Sequence, residues 1–388
     1  MCNHRCDVFI AGAGPAGLAA AIALRLRGAD VLVADALRPP IDKPCGEGLM
    51  PEARRALAQL GVPLEACHGA EFAGIAFVSG SDQVAATFPR GKGIGIRRTI
   101  LQRLLFRRAA SLGVRFCWNT PVVLNPGEPP TLAGEPIRYR WLIGADGASS
   151  RVRSWAGLDA ARLISRRFGF RAHYRLAPQH AAPSYVEVHW SRIGQAYITP
   201  TAPDEICISC MTRSPGVRLP EILASLPALR ERLGSATPSS AERGSLTLTR
   251  RLRRLASGNV ALIGDASGSV DAITGEGLAL AFRQALLLAD SLPAGSLALY
   301  QAGHGRILAR PQLMARLLLL LGRHSVVRSL TLRTFSRHPA LFRSLLAFHV
   351  GESGLPLVSQ GLFLAPEWTQ NFSSADISTN FSETPVSR

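Results

Sequence analysis

The strongest constraint on this chain's fold is a glycine triplet placed between two different kinds of apolar segment. Gly12-Ala-Gly14-Pro15-Ala16-Gly17 follows a short buried-strand pattern, Asp7-Val-Phe-Ile-Ala11, and precedes a run of small and aliphatic residues, Leu18 to Arg27, closed by Gly28. That order predicts strand, tight turn and helix. Ala29 to Asp35 supplies a second strand and ends in an acid 18 residues after Gly17, which completes a βαβ unit. One glycine permits the turn, one lets backbone approach a pyrophosphate, and one lets the helix pack closely on the strand. The pyrophosphate would meet free N–H groups and the positive end of the helix dipole. Asp35 is placed to accept from an adenosine ribose. Dinucleotide binding follows, without separating FAD from a nicotinamide cofactor.

Further along, residues 68 to 96 and 168 to 213 are rich in alternating apolar residues, with period two clearest in Tyr185-Val-Glu-Val-His-Trp190. These predict antiparallel strands of a second domain. Between them Thr99 to Leu112 reads as a helix and Arg140 to Gly144 as another buried strand. Asn259 to Gly264 and a helix from about Gly275 to Ser291 return to the first pattern. The first domain is therefore expected to be discontinuous, over 1–67, 97–165 and 250–292. The second is expected over 68–96 and 166–249, a helical region broken at Pro311 and Pro339 over 293–364, and a flexible tail over 365–388.

Charge narrows the partners. The chain has 44 basic and 27 acidic residues, but of the basic ones only Lys43 and Lys92 are lysine, so the +17 reflects arginine usage more than a nucleic-acid face. No aromatic interleaving and no nucleic-acid module accompany it, and nucleic-acid binding is not expected. The first residues lack the pattern of a signal peptide. Leu317 to Leu321, the longest aliphatic run, falls far short of the ~20 residues that span a bilayer. Seven scattered cysteines suggest reduced thiols in a cytoplasm. Cys207 and Cys210 lie in a strand pattern that sends them to opposite faces. The nine histidines are far apart in sequence, and no metal site is expected.

Two later segments separate FAD from a nicotinamide. Gly144-Ala-Asp-Gly-Ala-Ser-Ser-Arg-Val-Arg153 and Gly264-Asp-Ala-Ser-Gly-Ser-Val-Asp-Ala-Ile-Thr-Gly-Glu-Gly277 resemble two fingerprints of the FAD-dependent monooxygenases related to p-hydroxybenzoate hydroxylase. With the glycine triplet they fall in that family's order, over roughly residues 6 to 292. Cys45-Gly46-Glu-Gly-Leu-Met-Pro51 resembles a segment of geranylgeranyl reductases in which the chain passes beside the isoalloxazine. With Val186 to Trp190 and Tyr197-Ile-Thr-Pro200, the pattern looks most like flavoprotein hydroxylases found with type III polyketide synthases.

The resemblance implies an α/β fold: a discontinuous Rossmann-like FAD-binding domain, an antiparallel β-sheet substrate domain and a C-terminal helical region. It implies that Asp146 and Gly147 lie near the pyrophosphate and that Asp265, after Gly264, accepts from a ribitol hydroxyl. Gly275, Glu276 and Gly277 would open a helix whose N–H groups face the flavin. Arg98 would reach FAD, with Gln102 one turn on. It departs from many hydroxylases in having Ala272 where they carry proline beside the flavin.

The activity implied is hydroxylation of a phenolic or polyketide-derived, lipid-tailed substrate through a flavin C4a-hydroperoxide, with NADPH or NADH as transient reductant. A reductase that saturates isoprenoid double bonds is the alternative, and a flavoprotein that serves as a binding partner without turnover is the third reading. His173, His189, Glu187, Tyr174 and Tyr197 are candidates for a general base, and sequence assigns none. Residues 291–351 hold eight arginines and no acid, which suits either a helical cover or peripheral contact with an anionic membrane.

Overall fold

The computed structural model describes residues 5–178 and 181–352. The chain opens with β1 (Arg5–Ala11), α1 (Pro15–Leu26) and β2 (Val31–Asp35), as the glycine triplet requires. After α2 (Pro51–Gln59) it leaves for a hairpin, β3 (Gly74–Ser79) and β4 (Asp82–Thr87). It returns through α3 (Arg98–Ser111), β5 (Arg115–Trp118), β6 (Arg138–Gly144) and α4 (Arg151–Trp155). It leaves again through β7 (Ala161–Arg175), β8 (Tyr185–Trp190), β9 (Gln195–Ala202) and β10 (Glu205–Thr212). Two short helices, α5 (Leu219–Ala224) and α6 (Pro227–Arg232), precede β11 (Thr237–Pro238) and β12 (Arg243–Leu252). β13 (Ala256–Ser257), β14 (Val260–Leu262) and α7 (Gly277–Ser291) complete the first unit. Helices α8 (Ala298–Arg323), α9 (Ser325–Arg337) and α10 (Pro339–His349) follow.

The first unit is a six-stranded sheet in the order β13-β14-β6-β1-β2-β5. β14, β6, β1, β2 and β5 run parallel, so their carboxyl ends share one edge. Ligands of open parallel sheets bind at that edge. α1, α3 and α7 cover one face, where Ile10, Leu18, Ile22, Val33, Leu105 and Phe282 are essentially inaccessible.

The second unit is an eight-stranded sheet, β11-β7-β10-β9-β8-β3-β4, with β12 also paired to β7. It is antiparallel except at β3–β8, because the chain returns to the first unit between those two strands. Its outer face packs on α5 and α6 through Phe170, Ile198, Ile208 and Ile222. Part of its inner face packs on α8 to α10 through Phe77, Trp190, Met314, Leu318 and Phe342.

The helical region differs from expectation at one point. Pro311 lies inside the continuous 26-residue α8, whereas Pro339 does begin a new helix. An interior proline removes one hydrogen bond and costs about 3 kcal/mol. Burial of Ile307, Pro311, Met314 and Leu318 along one stripe offsets that cost. The predicted tail over 365–388 lies outside the described residues.

Candidate active site

The glycine turn is closed from both sides. A Cβ on Gly17 would stand 1.9 Å from the Gly12 carbonyl oxygen, and one on Gly12 would stand 2.5 Å from the Ala145 carbonyl oxygen. A Cβ on Gly14 would meet nothing within 4 Å, so the open side of the turn faces the cleft. Pro15 starts α1 and Ala16 follows it, where a missing N–H costs nothing. Asp35 accepts from Ala13 N at 2.7 Å through one oxygen and from Leu37 N at 2.9 Å through the other. It braces the turn and retains lone pairs toward the cleft.

A hollow beside the turn is lined by Gly14, Pro15, Asp35, Lys43, Arg98 and Gln102. Arg98 is the first residue of α3, and Arg97 is turned away into an ion pair with Glu205. Gln102 is buried and works on the chain itself: it accepts from Ile41 N at 2.6 Å and donates to Ala13 O at 3.2 Å. It thereby ties the loop before Cys45 to the glycine turn.

Asp265 is exposed to solvent although protein surrounds it, as expected of a carboxylate on a cleft wall. Desolvation by burial raises its pKa, while the charges of Arg98 and Lys43 act in the opposite direction. Lys43 was not among the sequence candidates; being one of only two lysines was its sole signal. Gly264 has φ 61°, and a Cβ there would stand 2.7 Å from Ala16 Cβ. Asp146 caps α4, accepting from Arg151 N and Val152 N through one oxygen, and its other oxygen is buried without a partner. Gly147 beside it and Gly275 and Gly277 at the start of α7 are all open where a Cβ would point.

These features fit FAD. An anion cradle, carboxylates at two strand ends, an orphaned carboxylate oxygen and two cations converge on the carboxyl edge of the parallel sheet. Glu276 and Asp271, by contrast, turn away from solvent. Glu276 is 1% exposed beside Arg310 and His349, and Asp271 is 2% exposed and paired with Arg167 at 3.0 Å.

The register of the second sheet selects among the general-base candidates. Val186, Thr199, Cys207 and His173 form one row of the inner face; Val188, Tyr197, Ser209 and Arg171 form the next. Glu187, His189 and Tyr174 point to the outer face. Glu187 there bonds His189 and Arg232; burial would raise its pKa, but those partners bring it down to about 2. On the inner face Val186, Tyr197 and Ser209 remain half-exposed among buried neighbours. Gly46 and Gly48 stand against this face, near Ser209 and Thr199. Tyr197 Oη donates to Gln195 Oε1 at 3.4 Å, and burial pushes its pKa up, so it is a donor at neutral pH.

The fold also gathers a cluster that wide sequence separation had hidden. Glu47, His173 and Cys207 place their polar atoms within 4.8 Å of one another.

Comparison with known proteins agrees with this geometry. Residues 5–171 match the FAD binding domain family. Menaquinone reductase of Mycobacterium tuberculosis is 28% identical over 325 residues, covering 75% of this chain and 78% of that protein. Digeranylgeranylglycerophospholipid reductase 1 of Methanopyrus kandleri is 26% identical over 292 residues, covering 70% and 76%. The solved structure of OxyS anhydrotetracycline hydroxylase from Streptomyces rimosus superposes with a TM-score of 0.70 at 23% identity, covering 89% of this chain and 76% of that one. Residues 5–171 are thus an FAD binding domain, on a fold shared with flavin-dependent hydroxylases.

Proposed function

We propose that the protein is an NAD(P)H-dependent monooxygenase that hydroxylates a phenolic, lipid-tailed substrate. The observation that carries this reading is a half-exposed polar pair on the inner face of the second sheet. Tyr197 and the paired Ser209 lie opposite each other across β9 and β10. Behind Tyr197, Gln195 Oε1 is held by Arg167 at 2.6 Å, and Arg167 in turn by Asp271. A phenol hydroxyl can donate to Tyr197 Oη and accept from Ser209 Oγ, whereas a hydrocarbon uses neither.

FAD, when bound, accepts two electrons from a nicotinamide and makes them available for reaction with dioxygen or an unsaturated carbon. The chain's own residues orient the substrate oxygen through Tyr197 and Ser209. Phe77, Val188, Met314 and Leu318 pack into the buried cluster beside the pair and exclude water from that side. Incubation with FAD, NADPH, oxygen and an alkylresorcinol should yield a product heavier by one oxygen atom. Unchanged substrate under these conditions refutes the reading. Tyr197→Phe should raise KM for that substrate about tenfold, worth ~1.4 kcal/mol.

The relatives that span most of the chain favour a second reading, a reductase acting on an isoprenoid lipid. Oxygen-independent addition of two hydrogens to a geranylgeranyl lipid would establish it.

Both readings involve a lipid, and we propose that the α8–α9 corner rests on an anionic membrane. Leu320, Val326 and Leu330 are 46%, 71% and 60% exposed there, with Arg316 and Arg323 exposed beside them. Apolar side chains rimmed by arginine suit an anionic interface. Among the described residues no helix is long and apolar enough to cross a membrane.

A further inference from the structure

Glu47 sits between Gly46 and Gly48 with φ 59°, a left-handed conformation that costs a non-glycine residue on the order of 1 kcal/mol. Its carboxylate is buried where the two units meet. One oxygen accepts from Arg98 N at 3.0 Å, and the other lies 2.6 Å from His173 Nε2. His173 is 1% exposed, with Nδ1 2.8 Å from Ser240 Oγ and 3.1 Å from Arg171 Nη1.

Those contacts fix where the imidazole proton lies. A guanidinium has no acceptor and stays charged, so in the resting ring Nδ1 offers its lone pair to Arg171. The proton is then on Nε2, donated to Glu47. Ser240, which is half-exposed, can serve either state of the ring. It donates to the Nδ1 lone pair, or it accepts from an Nδ1–H and turns its own proton to the Ala241 carbonyl, 3.4 Å away.

The surrounding groups belong to every element packed on the pair. Arg171 is held by Asp42, Arg97 by Glu205, and Arg98 comes from the start of α3. Cys45 and Cys207 complete the shell, and burial raises the Cys207 thiol well above its ordinary value. Three arginines around the cluster oppose a cation, so it is a poor metal site.

We propose that His173 carries the solvent proton that each turnover consumes, relaying it from Ser240 to Glu47 beside the Cys45–Gly46 turn. The inference rests on the oxidoreductase reading above and holds for either reaction. Hydroxylation turns substrate, dioxygen, NAD(P)H and one proton into hydroxylated product, water and NAD(P)+. Saturation of a double bond likewise consumes NAD(P)H and one proton. In the relay Ser240 gives its O–H proton to Nδ1 and regains one from solvent, Arg171 releases Nδ1 and keeps Asp42, the Nε2–H bond breaks and an O–H bond forms on Glu47. No electrons change hands there.

The test needs no substrate. FAD-loaded protein is mixed anaerobically with NADH at about pH 8 in weak buffer, and a pH-indicator dye reports proton uptake. The wild type should take up roughly one proton per FAD reduced, and Glu47→Gln and His173→Asn almost none. Ser240→Ala should reach the same uptake at least about tenfold more slowly. FAD content and Tm, read in parallel, identify variants that fail to fold, and Glu47→Gln preserves shape where His173→Asn does not. Wild-type uptake retained in both Glu47→Gln and His173→Asn overturns the relay but leaves the hydroxylase reading intact. A stoichiometric metal in the purified protein, lost in His173→Asn, overturns it as well.

Discussion

Glu276 Oε2 and His349 Nδ1 face each other at 3.6 Å, both buried and both without a hydrogen-bond partner. Arg310, the cation nearest Glu276 at 3.5 Å, is committed to Glu52 at 2.5 Å. Burial therefore dominates: it pushes Glu276 up to about 8 and His349 down to about 4. From about pH 4.5 to 8 the folded protein holds a proton on Glu276 that the unfolded chain releases, so this group's contribution to stability falls as pH rises. His349 acts oppositely between about pH 4 and 6.5, and the two offset each other there. Above about pH 6.5 Glu276 acts alone. Chemical denaturation at about pH 6.5 and 8 should show a loss on the order of 1 kcal/mol, and Glu276→Gln should remove it.

Gly14 and Gly17 should respond differently to the same added methyl group. Gly17→Ala drives a Cβ into the Gly12 carbonyl and should lower Tm sharply or prevent folding. Gly14→Ala finds open space, so Tm should stay near that of the wild type while FAD affinity falls. Calorimetry with and without added FAD separates the two.

Asp265→Ala removes a carboxylate from the cleft wall, within the field of Arg98 and Lys43. FAD should bind at least tenfold more weakly, about 1.4 kcal/mol, and the purified protein should lose its yellow colour. Full flavin occupancy would contradict the role assigned to this residue.

Asp271→Ala should destabilise the protein by about 3–5 kcal/mol, because it leaves Arg167 buried without its counter-ion. A double variant, Arg167→Met with Asp271→Leu, should recover much of that loss. Urea titrations of the three proteins measure both effects.

Val326→Asp with Leu330→Asp should reduce flotation with vesicles rich in anionic lipid and leave NADH oxidation in solution unchanged. Both side chains lie on the exposed corner, away from the cleft. Equal flotation of variant and wild type would dismiss membrane contact.

The βαβ unit, the discontinuity and most strand positions were legible because periodicity and glycine spacing are local properties. The cleft residues were reachable because Asp35, Asp146 and Asp265 each stand at a strand end. Long-range pairing was not legible: Glu47 and His173 are 126 positions apart, and neither stands in a motif for the other. Sequence placed Glu276 among the cofactor-binding candidates, and the packing of Asp271 was equally out of reach. Their burial depends on Arg310, His349 and Arg167, which arrive from distant helices and strands. Pro311 predicted a break, and the packing stripe of α8 prevailed over local preference.

Asp42–Arg171, Glu47–His173 and Arg97–Glu205 all join the nucleotide-binding unit to the second sheet. A fragment carrying either half alone would bare several unneutralised ions along a seam meant to stay dry. The two halves are therefore obliged to be inherited, expressed and folded together, and grafting one onto a foreign counterpart requires transplanting the matching charges with it.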